Sequence, residues 1–233
     1  MPPRALEPAG VALVDKPAGP SSFAIVAQIR RMTGARTGHA GTLDPFATGL
    51  LLLLSGRATK LTPRLVGLDK RYLTEVDLHA RTSTGDPEGE IVETLEPPGG
   101  AELERRLASL RGEIELPIPA ASAVKIGGER AYALARRGVE VEMPLRRSTV
   151  HSLDLVSYAD GCATLDLRVS SGTYVRAIAH ALGGHCVTLR RTAVGPFDIA
   201  DAVTPAAFDA ALLLSEADVL AQVEAGTLGE ARP

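Results

Sequence analysis

Long apolar runs are absent from this sequence of 233 residues. The longest have five residues, as in the leucines at 50–54, whereas a membrane-spanning helix needs roughly 20. The opening Met-Pro-Pro-Arg is also unlike the apolar stretch of a signal peptide. We therefore expect a cytoplasmic protein that has no membrane partner.

Cysteine is scarce as well, with Cys162 and Cys186 alone. Two cysteines make neither a CxxC pair nor a zinc quartet, so we expect both to be reduced and structural. The sequence contains no GxxxxGK[ST] phosphate loop, no HExxH and no GxSxG, and no cluster of metal ligands at useful spacing. A nucleotide-driven or metal-dependent enzyme is disfavoured, and we expect no cofactor.

Carboxylates are almost missing between Asp15 and Asp69, where the only one is Asp44. The same stretch carries seven cations: Lys16, Arg30, Arg31, Arg36, Arg57, Lys60 and Arg64. A lone acid among cations suits a nucleophile or base that acts on a polyanion. An Asp-Pro in a glycine-rich segment is also typical of an Asx-turn or a helix cap, so this feature alone leaves both interpretations open.

Charge is segregated along the chain although the net charge is only -3. Residues 1–71 hold ten Lys and Arg against four acids, whereas residues 198–233 hold seven acids and one Arg. A second acid-free basic stretch covers residues 168–191. The two basic segments either converge on a phosphate-lined groove or lie on solvated faces.

Apolar spacing and turn residues predict a single α+β domain with a mixed sheet. Residues 11–14 form a strand, and the helix that follows is capped by Ser21 or Ser22 and ends at Gly34. A loop at 34–49 leads into a buried strand at 50–54. Further strands are predicted at 71–79, 91–95, 120–126 and 162–169, and further helices at 101–110, 131–137, 174–182, 204–214 and 215–226. The strands at 71–79 and 91–95 are expected to pair as a hairpin.

Residues 38–49, Gly-His-Ala-Gly-Thr-Leu-Asp-Pro-Phe-Ala-Thr-Gly, resemble the catalytic signature of the TruB-type tRNA pseudouridine synthases. Other segments resemble that family in the same order, at 10–19, 70–72, 122–125, 131–138, 172–176 and 189–191. The resemblance covers residues 10–197. It implies a pseudouridine-synthase fold, a mixed central sheet flanked by helices.

The resemblance also implies an activity, the isomerisation of a uridine in the T loop of tRNA, at position 55 in the family. The N1 to C1′ bond breaks, the uracil turns, and the base rejoins through C5 without redox change or cofactor. Asp44 is implied as the nucleophile. Attack at C1′, attack at C6 and a glycal route all remain open.

Further site residues follow from the same resemblance. Arg176 would pair with and orient the aspartate, Tyr72 would stack on the extruded uracil, and Tyr174 would lie beside the base. Without the resemblance, the arginine reads as a phosphate or surface contact and the tyrosines as packing residues.

Three more residues are implied in substrate binding. His39 would occupy the space that the extruded base vacates, because the base must leave its stack before it reacts. Leu189 would line the uracil pocket, and Lys16 would support the floor of the site. A single loop histidine is otherwise uninformative.

The sequence departs from the family in three places. Residues 177–188 are shorter than the corresponding family segment, and Ala121 and Ala181 replace an aromatic residue and an aspartate. The chain also stops after what resembles the linking helix. We therefore expect a catalytic domain at 1–197 and a helical extension at 198–233, without a C-terminal PUA module.

The expected partner is the T arm of tRNA, and we expect a monomer. A non-catalytic RNA-folding chaperone of the same fold is the main alternative, although the presence of Asp44, Tyr72, Tyr174 and Arg176 argues against it. An enzyme that binds nucleotide sugars or phosphates through the glycine loop is a third alternative, and it lacks a phosphate motif.

Overall fold

A computed structural model describes residues 8–122, 124–131, 134, 137, 139 and 141–228 of the chain. Packing divides the chain into two compact units, one made of Met1–Tyr72 and Arg190–Pro233 and the other of Leu73–Leu189. None of the helices in these described ranges is long and apolar enough to cross a membrane.

The strands are β1 (Gly10–Lys16), β2 (Thr37–His39), β3 (Thr48–Ser55), β4 (Lys70–Asp77), β5 (Ala80–Thr82), β6 (Ile91–Thr94), β7 (Gly112–Pro117), β8 (Lys125–Ile126), β9 (Glu129–Arg130), β10 (Leu145–Ala159), β11 (Cys162–Val169), β12 (His185–Val194) and β13 (Phe197–Asp198). The helices are α1 (Ser22–Thr33), α2 (Thr62–Val66), α3 (Gly100–Ser109), α4 (Val175–Leu182) and α5 (Glu216–Leu228). Short 3₁₀ turns lie at Gly56–Leu61, Ile199–Asp201 and Ala210–Leu212. The fold is therefore α+β, as predicted.

The first unit is built on a mixed sheet. Strand β1 runs antiparallel to β3, with Leu13 opposite Leu52. Strand β2 also runs antiparallel to β3 and pairs with its last three residues, with His39 opposite Leu53. Strand β12 joins β3 in parallel, with Arg191 opposite Gly49. The five leucines of β3 are buried on both faces, which confirms the predicted buried strand.

The C-terminal part of the described chain packs on β1. Val11 and Leu214 exchange two backbone hydrogen bonds of 2.9 Å. Val219 and Val223 of α5 join the apolar core that contains β1 and β3. The predicted start of α5 is confirmed, since the Ser215 hydroxyl accepts a hydrogen bond from the Asp218 amide.

Both predicted caps of α1 are present. The Ser21 side chain accepts a hydrogen bond from the Ala24 amide, and Gly34 ends the helix in the left-handed conformation with φ of 66°. Ile25 and Ile29 are buried, as their helical spacing indicates.

The second unit contains β4 from Leu73 onward, followed in the sheet by β11, β10 and β7, with β10 antiparallel to both of its neighbours. Strand β11 was predicted at its observed bounds. Strands β7 and β10 were not predicted. Helix α3 confirms the helix expected at 101–110, and its Leu103 and Leu107 are buried.

Several sequence predictions of local structure were wrong. Strand β6 pairs with β5 rather than with β4, so the expected hairpin is shorter and begins after His79. Strand β2 lies inside the predicted loop at 34–49. Of the described residues in the strand predicted at 120–126, which exclude residue 123, only Lys125–Ile126 forms a strand. The helix predicted at 131–137 includes residues outside those described.

The helix predicted at 204–214 is also wrong. Residues 205–206 form an isolated turn, and a separate 3₁₀ turn at Ala210–Leu212 begins where the Asp209 carboxylate accepts a hydrogen bond from the Ala211 amide. Leu214 then pairs with β1 instead of continuing a helix. Tertiary pairing overrides the local helical spacing.

Candidate active site

Asp44 lies, half-buried, on the connection between β2 and β3. The turn that carries it closes through a hydrogen bond of 3.2 Å from the Ala47 amide to the Asp44 carbonyl. Gly19 donates its amide to the Pro45 carbonyl at 2.9 Å. The backbone beside the carboxylate is therefore tied to the turn that follows β1.

The Lys16 side chain is hydrogen-bonded to the same two turns. Its side chain is fully buried, and Nζ donates to the carbonyls of Pro17 and Pro20 at 2.8 Å and of Pro45 at 3.2 Å. A buried ammonium requires such acceptors, because an unsolvated charge without them is costly. The Lys16 side chain therefore ties the turn after β1 to the backbone next to Asp44.

Helix α1 holds the residue before Asp44. The buried hydroxyl of Ser22 donates to the Leu43 carbonyl and accepts from the Leu43 amide, each at 2.8 Å. Both backbone groups of Leu43 are thus satisfied by one side chain. The position of Asp44 relative to α1 is fixed within this unit.

Arg191 supports the start and the end of the Asp44 connection. Its Nε donates to the Leu50 carbonyl at 2.7 Å and a terminal nitrogen donates to the Gly41 carbonyl at 3.0 Å. Arg191 is 1% exposed, so it neither faces a phosphate groove nor lies on a solvated face, which were the two alternatives for the basic stretch at 168–191. Its guanidinium donates hydrogen bonds to backbone carbonyls inside the fold.

Gly49 permits the close approach of β12 to β3. Its φ is 104°, and a Cβ at this position would lie 2.3 Å from the Arg191 carbonyl oxygen. Beside it, Arg190 makes a bidentate pair with Asp15, at 3.1 and 2.8 Å. Asp15, the acid nearest to Asp44 on the N-terminal side of the sequence, is therefore engaged by an arginine.

His39 ends β2 instead of lying in a loop, and it is half-buried. Its ring meets that of Phe23 edge-on, with centroids 5.2 Å apart and planes at 75°. Nδ1 is buried and has no hydrogen-bond partner among the described residues. Burial, and then the charge of Arg191, lower the pKa of His39, which favours the neutral imidazole near pH 7.

Tyr72 lies on β4 with its side chain buried on the same face as Lys70. The Lys70 ammonium donates to the carbonyls of Val66 at 2.5 Å and Leu68 at 2.6 Å. Burial, followed by the charge of Arg191, lowers the pKa of Lys70 from 10.5 to about 8. Strand β4 confirms the strand predicted at 71–79, although it begins one residue earlier and ends at Asp77.

In the second unit, Tyr174 is the N-cap of α4 and Arg176 lies in its first turn. The guanidinium of Arg176 donates to the Thr84 carbonyl at 2.6 Å and to the Ala121 carbonyl at 2.9 Å. It also pairs with the Asp86 carboxylate at 3.2 Å. The Arg176 side chain is 3% exposed, so these partners hold it in one orientation.

Asp86 is the residue that sequence reasoning missed. Its other oxygen accepts the Thr84 hydroxyl at 2.5 Å and the Glu88 amide at 3.1 Å. The sequence predicts residues 82–89 only as part of the connection between the strands at 71–79 and 91–95. The available signal was an Asp-Pro beside glycines, a pattern that Asp44 shares and that is typical of turns.

Leu189 is buried on β12, and the short segment before it consists of the end of α4 and the start of that strand. Of the predicted site residues, the first unit holds Lys16, His39, Asp44 and Tyr72, and the second holds Tyr174, Arg176 and Leu189. Cys162 and Cys186 are not joined in a disulfide. Within the described ranges, no group of three or more His, Cys, Asp or Glu side chains is arranged to hold a metal ion.

Comparison with known proteins agrees with this architecture. Residues 30–175 match the model of the TruB family pseudouridylate synthase (N terminal domain). The tRNA pseudouridine synthase B of Leifsonia xyli subsp. xyli (strain CTCB07) is 45% identical over 206 residues, which cover 82% of this chain and 68% of that protein. The protein of the same name from Aromatoleum aromaticum (strain DSM 19018 / LMG 30748 / EbN1) is 42% identical over 224 residues, covering 93% and 73%.

Solved structures show the same fold. A chain of a Cbf5-Nop10-Gar1 complex superposes with a TM-score of 0.66 at 25% identity, covering 88% of this chain and 57% of that one. A chain of the archaeal box H/ACA sRNP Nop10-Cbf5 complex gives 0.62 at 24% identity, covering 88% and 55%. The fold is that of the pseudouridine synthases. The chain belongs to the TruB family of pseudouridylate synthases.

Proposed function

We propose that this chain isomerises a uridine in the T loop of tRNA to pseudouridine, with Asp44 as the nucleophile. The observation that carries the proposal is the support of the Asp44 connection by buried cations, Lys16 and Arg191, and by Ser22. A loop braced in this way presents one carboxylate in a fixed position, as covalent catalysis requires. The relatives named tRNA pseudouridine synthase B support the choice of substrate.

The chemistry needs no outside reactant. The bond from N1 to C1′ breaks, the freed uracil turns, and C5 bonds to C1′. The proton on C5 is then lost, and N1 gains one. An ionised Asp44 supplies the electron pair, by addition to C1′ or C6 or by promoting a glycal intermediate.

Arg176 is proposed to keep the nucleophile ionised and oriented, because a guanidinium lowers the pKa of a partner carboxylate. In support of this role, Asp86 and two backbone carbonyls hold the guanidinium in place. Tyr174, at the start of the same helix, is proposed to help move the proton from C5 of the base.

Tyr72, Leu189 and His39 are proposed to receive the extruded base. Tyr72 would stack on the uracil, Leu189 would line its pocket, and His39 would fill the space that the base leaves. The half-buried imidazole of His39 has a lowered pKa, which supports this role, since a neutral ring enters a base stack without the cost of desolvating a charge.

We further propose residues 1–197 as the catalytic domain, 198–233 as a helical extension, and the T arm as the part of tRNA that is bound. Action on tRNA agrees with a cytoplasmic location. A monomeric state remains a prediction.

Carbodiimide mapping tests the proposed function. An unmodified tRNA transcript is incubated with the chain, treated with carbodiimide, and read by reverse transcription, which stops at pseudouridine. We expect one enzyme-dependent stop, in the T loop, and none in a control transcript with cytidine at that position. Tight RNA binding or RNA refolding without any stop would refute the proposal and favour a non-catalytic chaperone.

A further inference from the structure

Phe23 is the starting point because this aromatic residue, at the beginning of α1, is 70% exposed. Phe197 and Phe208 of the same chain are buried. Burial of an aromatic side chain is strongly favourable, so an exposed ring with a fixed position suggests a contact with a ligand.

The position of Phe23 is fixed by two neighbours. Ser22, the preceding residue, is hydrogen-bonded through its side chain to both backbone groups of Leu43, next to Asp44. The ring itself lies edge-on to His39, with centroids 5.2 Å apart. Phe23 remains 70% exposed despite this contact, so most of the residue still faces solvent beside the Asp44 connection.

The helix face that continues from Phe23 is positively charged. Ala27, Arg30 and Arg31 follow at i+4, i+7 and i+8, and all three are exposed. No acid occurs in Ser22–Thr33. Arg30 lies roughly 10 Å along the helix from Phe23, a distance that a single strand of nucleic acid spans in about two nucleotides.

We propose that Phe23, backed by His39, is a stacking subsite for an unpaired base of the RNA substrate other than the uridine that reacts, and that Arg30 contacts a phosphate of the same strand. The proposal rests on the proposed function, because it takes RNA as the ligand. The charge of the surrounding surface favours a nucleic acid over an apolar protein segment. One exposed ring also matches the area of one base.

Affinity for a T-arm RNA hairpin tests the stacking role in three Phe23 variants. Phe23→Ala and Phe23→Leu are each expected to raise Kd roughly tenfold, since both remove the aromatic face, whereas Phe23→Tyr stays within about twofold of the wild type. None of these variants should change the slope of log Kd against log salt, because stacking neutralises no phosphate.

A matched control for Phe23 and a test of the phosphate contact lie on the same helix. Met32 is also apolar and 51% exposed, at the other end of α1, so Met32→Ala should leave Kd within about twofold. Arg30→Gln should weaken binding and reduce the salt slope by about one. These variants separate stacking from general changes in the helix.

Abasic substitution identifies the base. A set of hairpins is prepared with one unpaired T-loop base removed in each. The wild type and Phe23→Ala should have equal affinity for one of these RNAs, the one that lacks the base on which Phe23 stacks. The missing base in that RNA should not be the target uracil. In the other RNAs, the difference of roughly tenfold should persist.

Three outcomes would overturn the inference. If Phe23→Leu binds the RNA as tightly as the wild type, the contact is purely apolar. If Met32→Ala and Phe23→Ala lose equal affinity, the effect is nonspecific. A loss of affinity in Phe23→Ala that no abasic site removes would exclude stacking.

Pseudouridine formation by the wild type is measured on the same hairpin. If the wild type reacts while the Phe23 variants bind normally, this inference alone fails. If the wild type binds without reacting, the proposed function fails and the affinity comparison still decides the stacking role.

Discussion

Replacing Asp86 by asparagine tests the ion pair that holds Arg176. The two side chains are 5% and 3% exposed, so water screens their charges little. Removing one partner of a buried pair typically costs about 3–5 kcal/mol, because the other charge is left uncompensated. Asparagine keeps the volume of the side chain and an oxygen that can accept from Thr84 or Glu88. We therefore expect a loss near the lower limit, about 3 kcal/mol of unfolding free energy.

Urea unfolding followed by circular dichroism measures this loss. The matched control is Glu93→Gln in the same unit, where Glu93 pairs with Arg81 at 2.6 Å but the two side chains are 47% and 29% exposed. An exposed pair contributes about 0–1 kcal/mol, so the control should unfold close to the wild type. The difference between the two variants reports the effect of burial on an otherwise similar charge pair.

Activity gives a second readout for Asp86→Asn. Carbonyls of Thr84 and Ala121 still accept from Arg176, so the guanidinium should remain inside the fold but lose its orientation. We expect kcat to fall more than tenfold with a smaller change in KM, because orientation matters most in the transition state.

Equal unfolding midpoints for Asp86→Asn and Glu93→Gln would refute this reasoning. A double variant, Arg176→Met with Asp86→Leu, provides a further check. It removes both charges, so it should be more stable than Asp86→Asn while remaining inactive. A double variant less stable than Asp86→Asn would mean that packing, rather than charge, dominates at this position.

Two further predictions concern the first unit. Gly49→Ala should lower the unfolding free energy by at least about 3 kcal/mol, because the added Cβ would lie 2.3 Å from the Arg191 backbone and φ at this position is 104°. The control is Gly38→Ala, where an added Cβ has nothing within 4 Å. It should lower the unfolding free energy by about 1 kcal/mol or less in the same urea titration. Lys70 has its pKa lowered to about 8 in the fold from 10.5, so the unfolded chain binds more protons between these values and stability should rise with pH across that window. Lys70→Met should remove this rise in urea midpoints measured from pH 8 to pH 10.5, and an unchanged pH dependence would contradict the assignment.

Local signals predicted those elements whose ends are marked by side chains. The serine cap and Gly34 located α1, and the leucines of β3 indicated a strand buried on both faces. The segment at 204–214 has helical spacing, but pairing of Leu214 with Val11 replaces the helix. Strand partners depend on contacts distant in sequence, which is why β6 was assigned to the wrong partner.

The candidate site was predictable where chemistry is carried by unusual residues. Asp44 stands out through the lack of other acids, and the resemblance then suggested partners. Asp86 does not stand out, because its role comes from a contact with Arg176, 90 residues away. Arg191 was misread for the same reason, since its burial follows from the parallel pairing of β12 with β3 and is invisible in a local charge count.

The central claim, that Asp44 carries out uridine isomerisation, is tested most directly by tritium release from T-arm RNA labelled at uracil C5. The wild type should release tritium, because C5 loses its hydrogen when it bonds to C1′, and Asp44→Asn should release none while it binds the RNA and unfolds in urea as the wild type does. Release by Asp44→Asn at the wild-type rate would contradict the claim. So would a variant that fails to fold, since Asp44 would then be a structural residue.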